Sequence, residues 1–260
     1  MFSRSGLLAI LSFCVLTVAC PHHSQRSAPH PTPAPTPPPE PIFAPHGQDQ
    51  YTRVGIFYAT DRQRGASTTP ANYYSGERSD KAVALPLEYG ACVVSVPVSH
   101  NTGKLESPVW WKLEFKEDPE KHVVLLSVDP QSGDHFYVNL KASVDQSSHR
   151  DAFVFIHGYN TTFGDAARRT AQIAYDLKFP GAPILYSWPS RGEPIKYTAD
   201  EAAVEWSTEH LKEFLIAVRQ KTGALKIHLI AHSMGNRALT RAIEDIPSEQ
   251  KPIFRSIVLA

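Results

Sequence analysis

The residues best suited to chemistry are a serine and its neighbours in the segment AHSMG, residues 231–235. This segment follows an apolar run typical of a buried strand and precedes a stretch with helical periodicity, which is the context that a G-x-S-x-G nucleophile elbow requires. Small residues are needed two before and two after the serine, because strand and helix nearly touch there. Gly235 fits this requirement, and Ala231 adds only a methyl group. The pattern therefore predicts Ser233 as a nucleophile, and the alternative is an ordinary serine of a strand-to-helix turn.

A nucleophilic serine of this kind needs an oxyanion hole, which is a pair of donors for the charge that develops on the substrate carbonyl oxygen. The backbone amide of Met234 lies at the start of the predicted helix and is one candidate donor. The second is expected from the loop 157–162, which follows an earlier buried strand. In that loop Gly158 lets the backbone approach the substrate closely, and the amide of Tyr159 is the candidate donor. Asn160 is predicted to brace the loop and to border the substrate pocket.

The histidines near these segments are not predicted to activate the serine. His157 precedes a glycine at a strand end, where a hydrogen bond that orders the loop is the commoner role. His228 is expected in the core, and His232 is expected beside the serine without reaching its hydroxyl. Trp188, after the next buried strand, either forms a wall of an acyl or alcohol pocket or is a core tryptophan before a proline turn. Asp200 is explained as an acid at a helix start, which the helix dipole favours.

These residues depend for their positions on an alternation of strands and helices in the second half of the chain. Buried strands are predicted at 151–157, 183–188 and 225–231, and a fourth strand at 254–260 is expected to be an exposed, apolar sheet edge. Helices are predicted at 165–177, 198–222 and 235–246. Such an alternation implies parallel βαβ units, whose active sites lie at the carboxyl ends of the strands. The first half is predicted to be mainly β, with strands at 53–60, 91–98, 122–128 and 136–140 and a loop over 62–82.

The first 20 residues predict an export signal. Arg4 gives a positive start, residues 6–18 are almost wholly apolar, and Ala19 precedes Cys20. The apolar run is shorter than the roughly 20 residues that a membrane-spanning helix needs. The segment also resembles a bacterial lipoprotein signal, in which the cysteine is lipidated after cleavage. Cys20 is therefore the predicted lipidation site, with a membrane of the bacterial cell envelope as the partner, and an ordinary cleaved signal is the alternative.

Residues 21–50 predict a disordered linker, because they are dominated by proline and lack hydrophobic periodicity. The histidines of this segment are irregularly spaced, so they are predicted to be solvated rather than to bind a metal, and no cofactor is expected. Lys and Arg total 26 and Asp and Glu total 26, which gives no indication of a nucleic-acid partner. Cys92 lies apart from the other cysteines and is expected to be a buried free thiol.

Five segments resemble a bacterial α/β-hydrolase family of unknown function, and they occur in the family's order: 54–62, 89–100, 153–163, 186–192 and 230–239. The resemblance implies an α/β-hydrolase-like fold, with a mainly parallel sheet, helices on both faces and a β-rich N-terminal portion. It implies a serine-hydrolase core of unassigned substrate, with Ser233 as nucleophile and residues 157–160 as the oxyanion loop. The chemistry of a nucleophilic serine favours a small-molecule ester or acyl substrate. Residues 51–260 are therefore predicted to be the hydrolase domain.

In this fold the catalytic acid and histidine follow the serine along the chain. The 27 residues after Ser233 contain no histidine, and none of their acids lies at a strand end. We therefore expect the domain to be incomplete here, with its last strands, the acid and the histidine missing. Three hypotheses remain: an exported serine hydrolase, a non-catalytic hydrolase-fold lipoprotein that acts as a binding or interaction module, and a structural lipoprotein of the envelope.

Overall fold

The computed structural model describes residues 44–45, 50–81, 83, 85–107, 116–192 and 197–260. The predicted signal at 1–20, with the candidate lipidation site Cys20, and nearly all of the predicted linker at 21–50 lie outside the described residues. Among those that are described, no helix has the length and apolarity needed to cross a membrane.

The centre of the described domain is an eight-stranded sheet, with a separate two-stranded sheet beside it. In chain order the described strands are β1 (Ala44–Pro45), β2 (Tyr51–Thr60), β3 (Arg62–Arg64), β4 (Tyr74–Arg78), β5 (Glu88–Pro97), β6 (Val124–Gln131), β7 (Asp151–Ile156), β8 (Ala182–Ser187), β9 (Lys226–Ala231) and β10 (Phe254–Leu259). The order across the large sheet is β10-β9-β7-β8-β2-β5-β6, and β1 pairs with β2. The pairs from β10 to β2 are parallel, whereas β2 with β5 and β5 with β6 are antiparallel. β3 and β4 form the small sheet.

Four described α-helices cover the large sheet: α1 (Gly133–Gln146), α2 (Phe163–Asp176), α3 (Tyr197–Thr222) and α4 (Met234–Glu244). The side chain of Ser132 caps α1, and that of Thr162 caps α2. Gly223 follows α3 with a φ of 68°, the left-handed conformation that ends a helix. Residues of α2 pack on one face of the sheet, and residues of α1, α3 and α4 pack on the other.

The central strands β7 and β8 are buried at every position because both faces of the sheet are covered. Along β7 the side chains alternate between the two cores. Ala152 and Val154 face the helices α1, α3 and α4, while Phe153 and Phe155 face α2. Burying each large apolar side chain contributes roughly 1.5–3 kcal/mol. The packing of the two cores therefore fixes where the strands end, and with that the positions of the elbow and the loop 157–162.

The predicted fold class is confirmed: a mostly parallel sheet with helices on both faces follows a β-rich N-terminal portion. Cys92 is a free, buried cysteine, as predicted, and burial raises the pKa of its thiol well above the usual range. At the edge of the sheet, three large apolar side chains of β10 are about half exposed: Ile257, Val258 and Leu259.

Two element predictions in the first half are wrong. Residues 136–140 were expected to form a strand because they are rich in β-forming residues, but they lie inside α1. Phe136 and Leu140 are fully buried one helical turn apart while Val138 is 56% exposed, so the helical period of the apolar positions outweighs β-propensity. The expected loop over 62–82 is also wrong in part, because it contains β3 and β4.

Candidate active site

Ser233 lies at the sharp turn between β9 and α4, at the carboxyl edge of the parallel strands. Its backbone has a φ of 52° and a ψ of −120°, a conformation that costs a non-glycine residue of order 1–3 kcal/mol. A β-carbon on Gly235 would lie 2.5 Å from the carbonyl oxygen of His157 and 2.9 Å from that of Ile156. The strained serine and the tight approach of helix to strand are both features of a nucleophile elbow.

The loop 157–162 lies directly against this serine. A β-carbon on Gly158 would lie 2.9 Å from the β-carbon of Ser233 and 2.6 Å from Nδ1 of His232, so only glycine fits there without a shift. The backbone amide of Met234 occupies the first position of α4, where the helix itself offers no acceptor. The structure thus brings together Ser233, the start of α4 and the loop that carries Tyr159.

The elbow is also anchored from the side of β10. The amide of Ser233 donates to the carbonyl oxygen of Ala260 at 2.8 Å, and the Asn236 side chain donates to the same oxygen at 3.1 Å. The amide of Ala260 in turn donates to the carbonyl of Ala231 at 2.9 Å. The backbone on both sides of the serine is therefore held by its neighbouring strand, which helps to maintain the strained turn.

His157 is part of the scaffold beneath the loop. It is 1% exposed, and its ring stacks on the indole of Trp188 with centroids 4.9 Å apart. Its Nδ1 lies 2.8 Å from the carbonyl oxygen of Gly158, and its Nε2 lies 3.3 Å from Nη2 of Arg62. Burial, followed by the positive charge of Arg62, lowers the pKa of His157 to about 3. A neutral, enclosed ring bonded to its own loop fits the predicted ordering role and not that of a general base.

The structure also gives the places of the other aromatic and histidine candidates. Trp188 is fully buried and donates its indole N–H to the carbonyl oxygen of His157 at 2.8 Å, so it lies where the core interpretation puts it. The prediction that His228 packs in the core is wrong, because its side chain is 26% exposed beside Asp151. His232 is exposed. Among the described residues, no side chain forms a hydrogen bond with the hydroxyl of Ser233.

Asp200 does more than the predicted helix-start acid. It is fully buried at the beginning of α3. Its Oδ2 accepts a 2.5 Å hydrogen bond from the hydroxyl of Ser190, and its Oδ1 accepts a 2.8 Å hydrogen bond from the amide of Arg191. The prediction of an acid at a helix start is confirmed. In addition, this carboxylate is hydrogen-bonded to the segment that follows β8.

Arg62 is a functional candidate that the sequence interpretation missed. It is 1% exposed at the start of β3, yet every guanidinium nitrogen has a partner. The partners are Ser187 Oγ, Ser75 O, Ser190 O, His157 Nε2 and Thr161 O. Burial lowers the pKa of Arg62 to about 10, against the opposing influence of Asp61 and Asp200, so the group stays positive at neutral pH. The sequence does carry one indication of a functional role for Arg62, because it forms a pair of opposite charges with Asp61 directly after a buried strand.

A cleft of about 450 Å³ opens beside the loop and the elbow. On one side it is lined by residues of the loop and the elbow, including Gly158, Asn160 and His232. On the α2 side of the sheet it is lined by apolar side chains that include Phe155 and Ile230. Asn160, predicted to border a pocket, lines this cleft, whereas Trp188 is not among its lining residues. Within the described part of the chain, no three side chains of His, Cys, Asp or Glu are grouped so as to hold a metal ion.

The parallel sheet, the strained serine at its carboxyl edge and the glycine loop packed against it define the α/β-hydrolase class. Residues 133–260 match the model of an α/β-hydrolase family of unknown function, DUF900. A further similarity is to the uncharacterised protein alr1448 of Nostoc sp. (strain PCC 7120), with 31% identity over 66 residues. That match covers 25% of this chain and 17% of the Nostoc protein.

Proposed function

We propose that this protein is a serine hydrolase that cleaves a small-molecule ester, with Ser233 as the nucleophile. The observation that carries the proposal is the left-handed backbone of Ser233 between β9 and α4, with Gly158 packed against it. A strain of this kind persists only where the surrounding structure maintains it, and such residues cluster at active sites. The match of residues 133–260 to an α/β-hydrolase family model supports the same class of chemistry.

In the proposed reaction, Oγ of Ser233 attacks the acyl carbon of the ester and its proton passes to a general base. The amides of Met234 and Tyr159 donate to the oxyanion of the tetrahedral intermediate. Collapse of the intermediate releases the alcohol, which takes up that proton, and leaves an acyl-enzyme. Water then attacks the acyl carbon by the same route, which frees the acid and restores the serine. His157 does not serve as the base, because its ring is enclosed and bonded to its own loop.

The direct test is a fluorophosphonate probe applied to the full-length protein, with Ser233→Ala as the matched variant. Labelling of the wild type that disappears in S233A, together with hydrolysis of short p-nitrophenyl esters, is the expected result. A folded wild-type protein that neither reacts with the probe nor hydrolyses the esters would overturn the proposal.

A second candidate is a non-catalytic hydrolase-fold protein that acts as a binding or interaction module. The observation that favours it is the lack of any histidine or carboxylate at hydrogen-bonding distance from the Ser233 hydroxyl among the described residues. A serine without a base is a poor nucleophile. The probe experiment distinguishes the two, because a binding module remains unlabelled while retaining its fold.

We also propose that the protein is exported and anchored by a lipid to a membrane of the bacterial cell envelope. The support is the order of a positive residue, an apolar run and Ala19-Cys20 at the start of the sequence. Metabolic labelling with a clickable fatty acid tests it. Incorporation that is lost in Cys20→Ser is expected, and equal incorporation in both proteins would contradict the anchor at this position.

A further inference from the structure

The loop beside Ser233 is held mainly by side chains. No hydrogen bond joins the backbone of Gly158, Asn160 or Thr161 to the backbone of another described residue. The side chain of His157 bonds the carbonyl oxygen of Gly158, and that of Thr161 donates to the carbonyl oxygen of Tyr159. Three further side chains, from outside the loop, also bind this stretch. Arg62 Nη2 donates to the carbonyl oxygen of Thr161 at 2.8 Å, and the Thr161 amide donates to Ser190 Oγ at 3.1 Å. The Asn160 amide donates to Asp200 Oδ2 at 3.4 Å.

Arg62, Ser190 and Asp200 are themselves connected, and we refer to them as the polar brace. Arg62 Nη1 donates to the carbonyl oxygen of Ser190 at 2.8 Å, and the Ser190 hydroxyl donates to Asp200 Oδ2 at 2.5 Å. All three residues are at most 1% exposed. The buried cation Arg62 and the buried anion Asp200 therefore both form hydrogen bonds with Ser190, and both also form hydrogen bonds with the loop 157–162.

Such an arrangement is not an efficient way to gain stability. Removing two charges from water is costly, and well-packed apolar residues of similar volume are often equally or more stabilising. Directional hydrogen bonds do provide a defined geometry, however, because each donor and acceptor fixes a direction as well as a distance. Asn160, at the turn of the loop, has a φ of 55°, so the loop backbone there is itself strained and requires support.

We propose that Arg62 and Asp200 are positioning residues of the active site, which hold the loop so that the Tyr159 amide meets the same oxygen as the Met234 amide. This inference rests on the proposed function of Ser233. Preorganised donors stabilise the transition state more than the bound substrate. Loosening the brace therefore lowers kcat and leaves KM nearly unchanged.

The experiment uses the full-length protein and compares Asp200→Asn with Glu201→Gln. Asp200→Asn keeps the shape of the side chain but removes the charge, whereas Glu201 is a neighbouring acid of α3 that pairs with Arg237 at the surface. In D200N we expect kcat for p-nitrophenyl ester hydrolysis to fall by about 10- to 100-fold, since loss of a whole oxyanion donor costs about 10²–10³. KM should change less than about twofold, and E201Q should match the wild type in both constants.

A second readout separates positioning from general damage. The affinity for a trifluoromethyl ketone, which mimics the tetrahedral intermediate, should fall in parallel with kcat, while thermal unfolding remains cooperative. Arg62→Lys should show the same loss, because an ammonium group cannot reproduce the fixed fork of a guanidinium. If D200N does not fold, Ser190→Ala provides the test, since it removes the link between Asp200 and Thr161.

Folded D200N and S190A proteins with unchanged kcat and unchanged analogue affinity would overturn the positioning role while leaving the hydrolase intact. A loss confined to KM would also overturn it. If the wild type itself shows no Ser233-dependent hydrolysis, the proposed function fails first and the positioning role fails with it.

Discussion

Gly158 and Ser233 approach each other so closely that a β-carbon on the glycine would lie 2.9 Å from the β-carbon of the serine. The two residues belong to different βαβ units, and their contact exists only because β7 and β9 are adjacent, parallel strands. Their register pairs Ile156 with Ala231, so the residues after each strand leave the sheet side by side. The pairing of β7 with β9 is therefore sufficient to place the candidate oxyanion loop beside the elbow.

Replacing Gly158 with alanine should displace the loop from the elbow. The new methyl group would meet Ser233 and His232, and overpacking of this kind typically costs about 1–3 kcal/mol. Thermal or urea unfolding measures the loss, and the rate of fluorophosphonate labelling should fall with it. Gly133→Ala is the control, because a β-carbon there would meet only Tyr89 at the ordinary distance of 3.7 Å. Equal effects of the two substitutions would contradict the tight contact.

The strain at Ser233 should be visible in a pair of substitutions that both remove the hydroxyl. Alanine keeps the penalty of a positive φ, whereas glycine adopts that conformation without steric cost. We expect S233G to be more stable than S233A by about 1 kcal/mol, although glycine normally loses more entropy on folding. Chemical denaturation of both variants provides the comparison. An S233A protein that is the more stable of the two would show that the turn is relaxed.

Stability should depend on pH through His157. Burial and the charge of Arg62 lower the pKa of this ring to about 3 in the folded state, against about 6.5 in the unfolded chain. Above pH 6.5 both states are neutral and the residue contributes no pH dependence. Between about pH 6.5 and 3 only the unfolded state binds the proton, so the folded state loses about 1.4 kcal/mol per pH unit as the pH falls.

Urea denaturation at several pH values measures this slope. His157→Gln removes the titrating group, and we expect a shallower decrease of stability toward low pH than in the wild type, whatever its stability at pH 7. Substitution of the exposed His149 by glutamine serves as the control and should leave the slope unchanged. An H157Q protein with the wild-type slope would show that another group dominates the acid response.

His100 should stabilise the fold through two carboxylates on different segments. Its side chain is 2% exposed, with Nδ1 2.7 Å from Glu106 and Nε2 2.9 Å from Asp176 at the end of α2. His100→Ala removes the partner of one oxygen on each carboxylate, while the other oxygens keep the amides of Asn101 and Gly103. We expect a loss of about 1–3 kcal/mol in the free energy of unfolding. A loss within about 0.5 kcal/mol, the range of an ordinary surface substitution, would contradict this role.

The second half of the fold could be predicted closely from the sequence because its central strands, β7 and β8, are buried on both faces and read as nearly continuous apolar runs. The predicted strand at 225–231 and helix at 235–246 correspond to β9 and α4 within two residues. Local signals were weaker in the first half. The residues of α1 from 136 to 140 form a window too short to separate a helical from a strand period, and the capping role of Ser132 was not recognised.

The candidate site was predictable only in part, for a related reason. Ser233 and Gly158 occur in local motifs whose spacing carries the geometry, so a single sequence suffices to find them. The local patterns at Arg62 and Asp200 do not define their roles, because their partners come from distant segments and are brought together only once β2 and β8 pair. A buried charge is exceptional in any fold, but burial of a particular arginine cannot be inferred from its neighbours in the chain.

The five hydrogen bonds of Arg62 also bear on how this region opens. They connect the small sheet at Ser75, the end of β8 at Ser187, the turn at Ser190 and the loop at Thr161. None of these segments can detach alone without leaving part of a buried guanidinium unpaired. They therefore form a single cooperative opening unit, whose amides should exchange with deuterium at one common free energy although the segments lie far apart in the chain.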